Sequence, residues 1–236
     1  MTFSLLIFLQ TVLIGQFSAV EEMVDKCDDF PSLIISIQDE LEGTFIEYGN
    51  VNREIGFGCS EKNISFQLDE NDYYYNLKAL VENDRILAIK MIYRNHENLL
   101  IKDRAAIRNY LKAHNTLFKT SKRIKDIEKE FFDTHMFSSG CGFSGEPTKE
   151  WIEMEDMCSG NKYESLWNFM SSTNMDIQAY GLIGILRLNK DGFKIPEYDL
   201  EIIERIVNRN SDVLTCMGCS PGEVFRLSDL ISFYVR

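Results

Sequence analysis

The residues that most suggest chemistry are Cys216 and Cys219, which form a C-x-x-C motif. Two thiols at this spacing can serve as a redox dithiol, as half of a zinc site or as a structural disulfide. Residues 220–223 read SPGE, the spacing of a helix capping box, and a helix N-terminus there would lower the pKa of a thiol. A thioredoxin-like motif follows a strand, however, whereas residues 200–208 have a helical pattern. We therefore predict a structural disulfide, with a thiol–disulfide oxidoreductase using this pair as the alternative.

A zinc site would need two further ligands close to this pair. The other candidates are single cysteines and three scattered histidines, namely His96, His114 and His135. The sequence also lacks the H-E-x-x-H, P-loop, G-x-S-x-G and calcium-loop motifs. We therefore predict no metal, no cofactor and no catalytic residue, and we favour a protein that is not an enzyme.

Four further cysteines, each isolated in the sequence, complete a set of six: Cys27, Cys59, Cys141 and Cys158. An even number of cysteines in an exported chain indicates structural disulfides. Since short loops lose the least chain entropy on closure, we expect the cysteines to pair in order along the chain. Cys27 would then bond to Cys59, Cys141 to Cys158, and Cys216 to Cys219.

Cys141 also lies within two patterns that occur in enzymes. It is six residues from His135, which could act as a base toward a thiol nucleophile, and residues 140–145 match the G-x-G-x-x-G of dinucleotide sites. We attribute the glycines to a loop with positive φ angles, because the pattern predicts a preceding helix and Pro147 follows closely. The segment 138–160 is the predicted loop or joint between two halves, and a hydrolase built around it is a further alternative.

Positive charge is concentrated in residues 102–129 of an acidic chain. The 236 residues have a net charge of −12, whereas this stretch has nine basic and three acidic side chains. We expect a solvated helical face whose lysines pair with acids of the same protein. The alternative is a face that docks on another protein or on an anionic surface. The overall acidity argues against nucleic acid as a partner. His114 lies among apolar positions and is predicted to be a hydrogen-bonded core histidine.

The first twenty residues contain no charged side chain. An apolar run over 3–14 followed by small residues is typical of a secretory signal, with cleavage after Ser18 or Ala19. We therefore expect a signal peptide at 1–19 and a secreted or periplasmic protein without a membrane span after signal removal. No basic residue precedes the apolar run, so an N-terminal membrane anchor is the alternative.

Most of the remaining sequence has the 3.6-residue period of helices. Two short strands are predicted at 44–48 and 64–68, and two helices between Asp72 and Tyr93. Further helices are predicted at 103–121, 123–137, 163–172, 175–190, 197–209 and 223–235. The expected fold is therefore mainly α, with short antiparallel helices and a small irregular or β-hairpin N-terminal part, in one domain over 20–236.

The last helices are joined by short links, which suggests stacked helical pairs, although no repeat of fixed length is present. The segments AYGLIGILRLNKDG at 179–192, DLEIIERIVNRNSD after it, and CMGC at 216–219 resemble uncharacterised exported helical proteins. This resemblance covers the last quarter of the chain and implies no activity, but it implies that the cysteine pair belongs to the fold. We predict an exported, disulfide-stabilised helical domain with a structural or protein-binding role.

Overall fold

The protein has a mixed α/β fold. The structure, a computed structural model, describes residues 18–40, 46–67, 74–218 and 220–235. It is 49% helix and 28% strand, with a five-stranded antiparallel sheet and a three-stranded sheet, so the prediction of a mainly α fold is wrong.

The chain divides into two compact units. The first, the sheet unit, contains the described residues up to Asn52 together with Cys59–Arg104. The second, the helical unit, contains Arg53–Gly58 together with Ala105–Arg236. The segment 138–160, predicted as a joint, lies inside the helical unit.

The sheet unit consists of two helices followed by an antiparallel meander. Residues 18–26 form α1, and Phe30–Glu40 form α2. The strands run in chain order across the sheet: β1 (Ile46–Gly56), β2 (Cys59–Gln67), β3 (Tyr75–Glu82), β4 (Arg85–Tyr93) and β5 (His96–Ile101). Most of the predicted signal peptide lies outside the described residues, and export stays a prediction.

Strands β3 and β4 occupy the segment in which two helices were predicted. Both are buried at most positions. In β4, residues 86–89 form a continuous apolar run, as in a strand that is buried on both faces. In β3, apolar residues recur at 75, 77, 79 and 81, which is the two-residue period of a strand rather than that of the predicted helix. Asn83 and Asp84, with φ of +51° and +66°, form the two-residue turn between them rather than the start of a helix.

The core of the sheet unit joins the two helices to the sheet. Leu33 and Ile37 of α2 pack in the same buried cluster as Phe66, Tyr75 and Tyr93. The Tyr75 ring stacks between the rings of Phe66 and Tyr93, at centroid distances of 5.2 and 4.3 Å. These cross-strand aromatic contacts stabilise the register of β2, β3 and β4.

The helical unit combines seven helices with a small sheet in the described residues. Its helices are α3 (Arg104–Phe118), α4 (Ile124–Glu130), α5 (Lys149–Ser159), α6 (Tyr163–Met170), α7 (Met175–Lys190), α8 (Glu197–Arg209) and α9 (Leu227–Tyr234). Its strands are β6 (Phe137–Cys141), β7 (Asp212–Gly218) and β8 (Ser220–Arg226). Strand β6 is parallel to β7, and β7 is antiparallel to β8. The predicted helices that became α6, α7 and α8 are confirmed, whereas the predicted helix over 223–235 begins only at Leu227.

Helices α6 and α7 approach so closely that Gly181 has no room for a side chain. A Cβ atom at this position would lie 2.1 Å from the Met170 nitrogen and 2.7 Å from the Leu166 carbonyl oxygen. Any larger residue would separate the two helices, so this glycine is required by packing.

A buried ion pair ties three parts of the helical unit together. Arg53 donates from Nη1 to Asp176 Oδ1 at 2.7 Å and from Nη2 to Oδ2 at 2.9 Å. The two side chains are only 1% and 2% exposed. Asp176 Oδ1 also accepts from the backbone nitrogen of Leu214 at 2.8 Å, so one carboxylate connects α7, β7 and the segment 53–58.

Two further hydrogen bonds hold the segment 53–58 in place. Arg209 donates from Nη1 to the carbonyl oxygen of Ile55 at 2.7 Å, and Ser211 donates to that of Glu54 at 2.5 Å. Arg53, Glu54 and Ile55 are therefore each hydrogen-bonded to the rest of the helical unit. Their partners belong to α7, to the residue before β7 and to α8, respectively.

We predict that Asp176→Asn lowers the free energy of unfolding by about 3–5 kcal/mol, because Arg53 would stay buried without a counter-charge. The double variant Arg53→Met/Asp176→Leu should lose less, because it leaves no unpaired charge. Urea denaturation followed by circular dichroism measures both. Glu155→Gln, which breaks a half-exposed pair with Arg187, is the control and should cost less than about 1 kcal/mol. Equal stability of Asp176→Asn and the natural protein would contradict this account.

Candidate functional site

The structure contains a disulfide between Cys141 and Cys216. The two residues are 75 positions apart, which differs from the expected pairing of Cys141 with Cys158 and of Cys216 with Cys219. The preference for short loops fails here because the parallel pairing of β6 with β7 has already brought the two cysteines together. Cys219 lies outside the described residues.

The other described cysteines, Cys27, Cys59 and Cys158, carry free thiols, so the expected disulfide between Cys27 and Cys59 is wrong. Burial raises the pKa of Cys59 to about 12 and also raises the pKa of Cys158. The Sγ atom of Cys27 lies 3.6 Å from the hydroxyl of Ser36. Because the thiolate is the reactive form, the raised pKa values make Cys59 and Cys158 poor nucleophiles at neutral pH.

The residues around the predicted loop at 138–160 form a strand, a turn and helix α5. Gly142 and Gly145 have φ of +74° and +66°, which confirms the turn for these two glycines, whereas Gly140 lies in β6. The element before them is β6 rather than the expected helix. His135 Nδ1 lies 3.0 Å from Glu150 Oε1, and the Cys141 sulfur is in the disulfide, so the thiol–imidazole pair considered above is not available for catalysis.

Residues 105–129 of the basic stretch form α3, α4 and the turn between them. The buried face of α3 contains Tyr110, Leu111 and Phe118 at helical spacing, so its charged residues point to solvent. At the start of α4, the Arg123 backbone nitrogen donates to Asp126 Oδ2 at 2.7 Å.

The side chain of Asn115 clamps the turn between α3 and α4. Its Oδ1 accepts from the Lys122 backbone nitrogen at 2.9 Å and from the Thr120 hydroxyl at 2.7 Å. Its Nδ2 donates to the Lys122 carbonyl oxygen at 2.8 Å. The turn is therefore fixed relative to α3 without any ligand.

A groove of about 750 Å³ between α3 and α4 is the candidate site, and we call it the basic groove. It is lined by five cations: Arg108, Lys112, Lys122, Arg123 and Lys125. No acidic side chain is among its described lining residues, which otherwise include Asn115, Thr116 and Thr120. Lys122 is neutralised by Glu130, with Nζ to carboxylate distances of 2.5 and 2.6 Å. The other four cations are exposed and form no ion pair in the described part of the chain.

The expected pairing of the basic stretch with acids of the same protein is wrong for most of its residues. Among the residues that the structure describes, only Lys102 and Lys122 of the nine form an ion pair, with Asp28 at 3.8 Å and with Glu130. Lys119 instead places its ammonium 3.6 Å from the ring centroid of Tyr198.

His114 is on the buried face of α3 and lies in the core, as predicted, but without the expected hydrogen bond. It is 2% exposed, and neither ring nitrogen makes a well-formed hydrogen bond within the described residues. Its ring lies 4.6 Å from that of Phe118 and 6.2 Å from that of Phe57. Burial lowers the pKa of His114 to about 4, with help from the charges of Lys122 and Arg209.

Comparison of the chain with family models, curated proteins and solved structures finds no match. The similarity of the last quarter to exported helical proteins therefore stays a prediction. No helix in the described ranges is long and apolar enough to cross a membrane. No group of three or more His, Cys, Asp or Glu residues in those ranges could hold a metal ion.

The sequence drew attention to the charges of the basic groove but not to its polar residues, Asn115, Thr116 and Thr120. The helical spacing was sufficient to place one of these polar residues, Thr116, beside the cations. Arg108, Lys112 and Thr116 are four residues apart in succession, so they lie on one face of α3. The turn residues could not be placed in the same way, because no periodicity extends through them.

We predict that Cys141→Ser/Cys216→Ser lowers the free energy of unfolding by about 2–5 kcal/mol under oxidising conditions, because the unfolded chain regains the freedom of a long loop. Denaturant titration with and without reductant measures the effect, and reductant should destabilise the natural protein but not the variant. Cys27→Ser removes a free thiol and should cost about 1 kcal/mol or less. A natural protein insensitive to reductant would argue against a stabilising disulfide.

We predict that the protein loses stability as the pH falls from about 6.5 to about 4, because the unfolded chain binds a proton at His114 that the folded state excludes. The difference in the pKa of His114 between the unfolded and folded states can lower the free energy of unfolding by about 3 kcal/mol at most. Urea titrations across this pH range give the free energy of unfolding at each pH. This free energy should change less steeply with pH in His114→Leu than in the natural protein. His96→Gln, at an exposed position, is the control and should keep the natural slope. An unchanged slope in His114→Leu would refute this assignment.

Proposed function

We propose that the protein is a non-catalytic binding module that docks an acidic segment of another protein in its basic groove. The observation that carries this proposal is the set of four exposed, unpaired cations along one groove: Arg108, Lys112, Arg123 and Lys125. They remain without ion pairs in the described residues although the chain carries 37 acidic side chains. A local positive potential on an acidic molecule attracts and orients an acidic partner.

The shape of the groove favours a polypeptide over a membrane surface. The groove is a concavity between two helices, which admits an extended chain, whereas a bilayer presents a broad surface. The clamp made by Asn115 holds the turn in place before binding, and such preorganisation reduces the entropy lost on association.

The alternative of a thiol–disulfide oxidoreductase lacks support in the described residues. The Cys216 sulfur is buried and already bonded to Cys141. The same disulfide supports the proposal that the protein acts in an oxidising compartment, such as the extracellular space or the periplasm.

The proposal is tested with a fluorescently labelled peptide of eight glutamates, whose binding is followed by fluorescence anisotropy at low ionic strength. We expect Arg123→Glu/Lys125→Glu to weaken binding by about tenfold or more, because two attractive contacts become repulsive. Both residues are exposed, so the fold should be unaffected.

The matched control is Lys190→Glu/Lys194→Glu, which makes the same change in net charge at exposed positions outside the basic groove. It should weaken binding by less than about threefold, through long-range charge alone. Equal losses in the two variants, or no peptide binding by the natural protein, would refute the proposal. Binding to phosphatidylserine vesicles but not to the peptide would assign the groove to a lipid surface instead.

A further inference from the structure

A second groove lies on the opposite flank of α3, and we call it the aromatic groove. It has a volume of about 590 Å³ and lies between α3, α8 and the turn that follows β1. Phe57 and Tyr198, 37% and 40% exposed, provide its aromatic surface. Lys112 and Thr116 line both this groove and the basic groove, so the two are neighbours across one face of α3.

The backbone of Phe57 has a conformation that a phenylalanine rarely adopts. Its φ is +57°, followed by +76° at Gly58, which are the values of a type I′ turn. Asparagine and glycine are the residues that suit this turn, because a Cβ with a bulky substituent is strained at positive φ. The turn by itself would therefore be more stable with a different residue at this position.

The helical unit nevertheless holds the Phe57 ring in a defined place. The preceding residues, Arg53, Glu54 and Ile55, are bonded to the rest of the unit as described above. The ring then makes edge contacts with Tyr110 and His114, at centroid distances of 5.9 and 6.2 Å. Strained residues that the surrounding structure holds in place are concentrated at ligand-binding sites.

Tyr198 is held in place as well. Its hydroxyl donates to the carbonyl oxygen of Leu117 at 3.0 Å, and the ammonium of Lys119 lies 3.6 Å from its ring centroid. The groove therefore has two fixed, partly exposed rings before anything binds. Aromatic rings pack favourably against another ring in offset or edge geometry, and aromatic side chains often provide the largest share of binding energy at an interface.

Resting on the proposed function, we propose that the aromatic groove is a second subsite for the same ligand and takes an aromatic side chain of the acidic segment. Two cations, Lys112 and Arg205, line this groove together with one acidic residue, Glu201. The lining therefore has a net positive charge, which favours a chain whose neighbouring residues are acidic. The partner is then a segment in which an aromatic residue lies a few residues from an acidic run.

The test compares two peptide series on the full chain by fluorescence anisotropy. One series has a tryptophan two, three or four residues after a run of glutamates, and the other has alanine at the same positions. We expect the natural protein to bind the best tryptophan peptide about tenfold more tightly than its alanine match. Phe57→Asn suits the turn and should reduce this advantage to less than about twofold without changing the affinity for the alanine peptide.

Tyr198→Leu alters the wall of the aromatic groove opposite Phe57. It should also reduce the preference for the tryptophan peptide over the alanine peptide, and it tests the groove without changing the turn. Phe143→Asn makes the same exchange at a fully exposed phenylalanine elsewhere and should leave the advantage intact. Thermal unfolding verifies that each variant is folded.

The outcomes separate this inference from the proposed function. If both series bind equally to the natural protein, or if Phe57→Asn keeps the tryptophan advantage, the aromatic subsite is refuted while the basic groove stands. If neither series binds, the proposed function fails and this inference fails with it. Self-association that Phe57→Asn abolishes, measured by sedimentation, would assign the groove to a second copy of the chain and overturn the inference.

Discussion

The helical unit depends on one buried carboxylate, that of Asp176. It lies in the first turn of α7, where the helix dipole stabilises negative charge, and it is bonded to the Arg53 guanidinium and to the backbone of Leu214. A charge buried to this degree is tolerable only when it is paired and fully hydrogen-bonded. The position of β7, and that of the segment 53–58, follows from this requirement. Phe57 lies in that segment, so the wall of the aromatic groove depends on the same contact.

Helix α3 is the element on which the proposed binding surface is built. Its buried face anchors it in the core, and its exposed face separates the basic groove from the aromatic groove. Lys112 and Thr116 lie on this shared face, and the Asn115 side chain clamps the turn toward α4. The arrangement holds the turn between α3 and α4 and the rings of Phe57 and Tyr198 at fixed positions. Binding at such a surface requires little reorganisation, which favours affinity for a segment that matches both grooves.

Sequence periodicity was informative where one face of an element is buried and the other is solvated. It located α3 and α8 because their apolar residues recur at helical spacing. It failed for β4, whose continuous apolar run at 86–89 is buried on both faces, and for β3, whose apolar residues at 75, 77, 79 and 81 fit the period of a strand better than the predicted helix. The charge of the candidate site was predictable from the sequence, since its basic residues are concentrated within 102–129. Its concave shape was not, because the groove arises from the packing of α3 against α4.

By itself, the sequence determined the local features of this protein: the amphipathic helices, the concentration of positive charge at 102–129 and the glycine turn after β6. Each depends on residues that are close together along the chain, whose interactions are set by helical spacing and backbone sterics. Only the tertiary structure decided which distant residues meet. Arg53 and Asp176 are 123 positions apart, and Cys141 and Cys216 are 75 apart. Such pairs depend on the packing of whole elements. Closing a long loop loses chain entropy, and the burial of the core offsets this loss, since one pair of residues is too weak to do so alone.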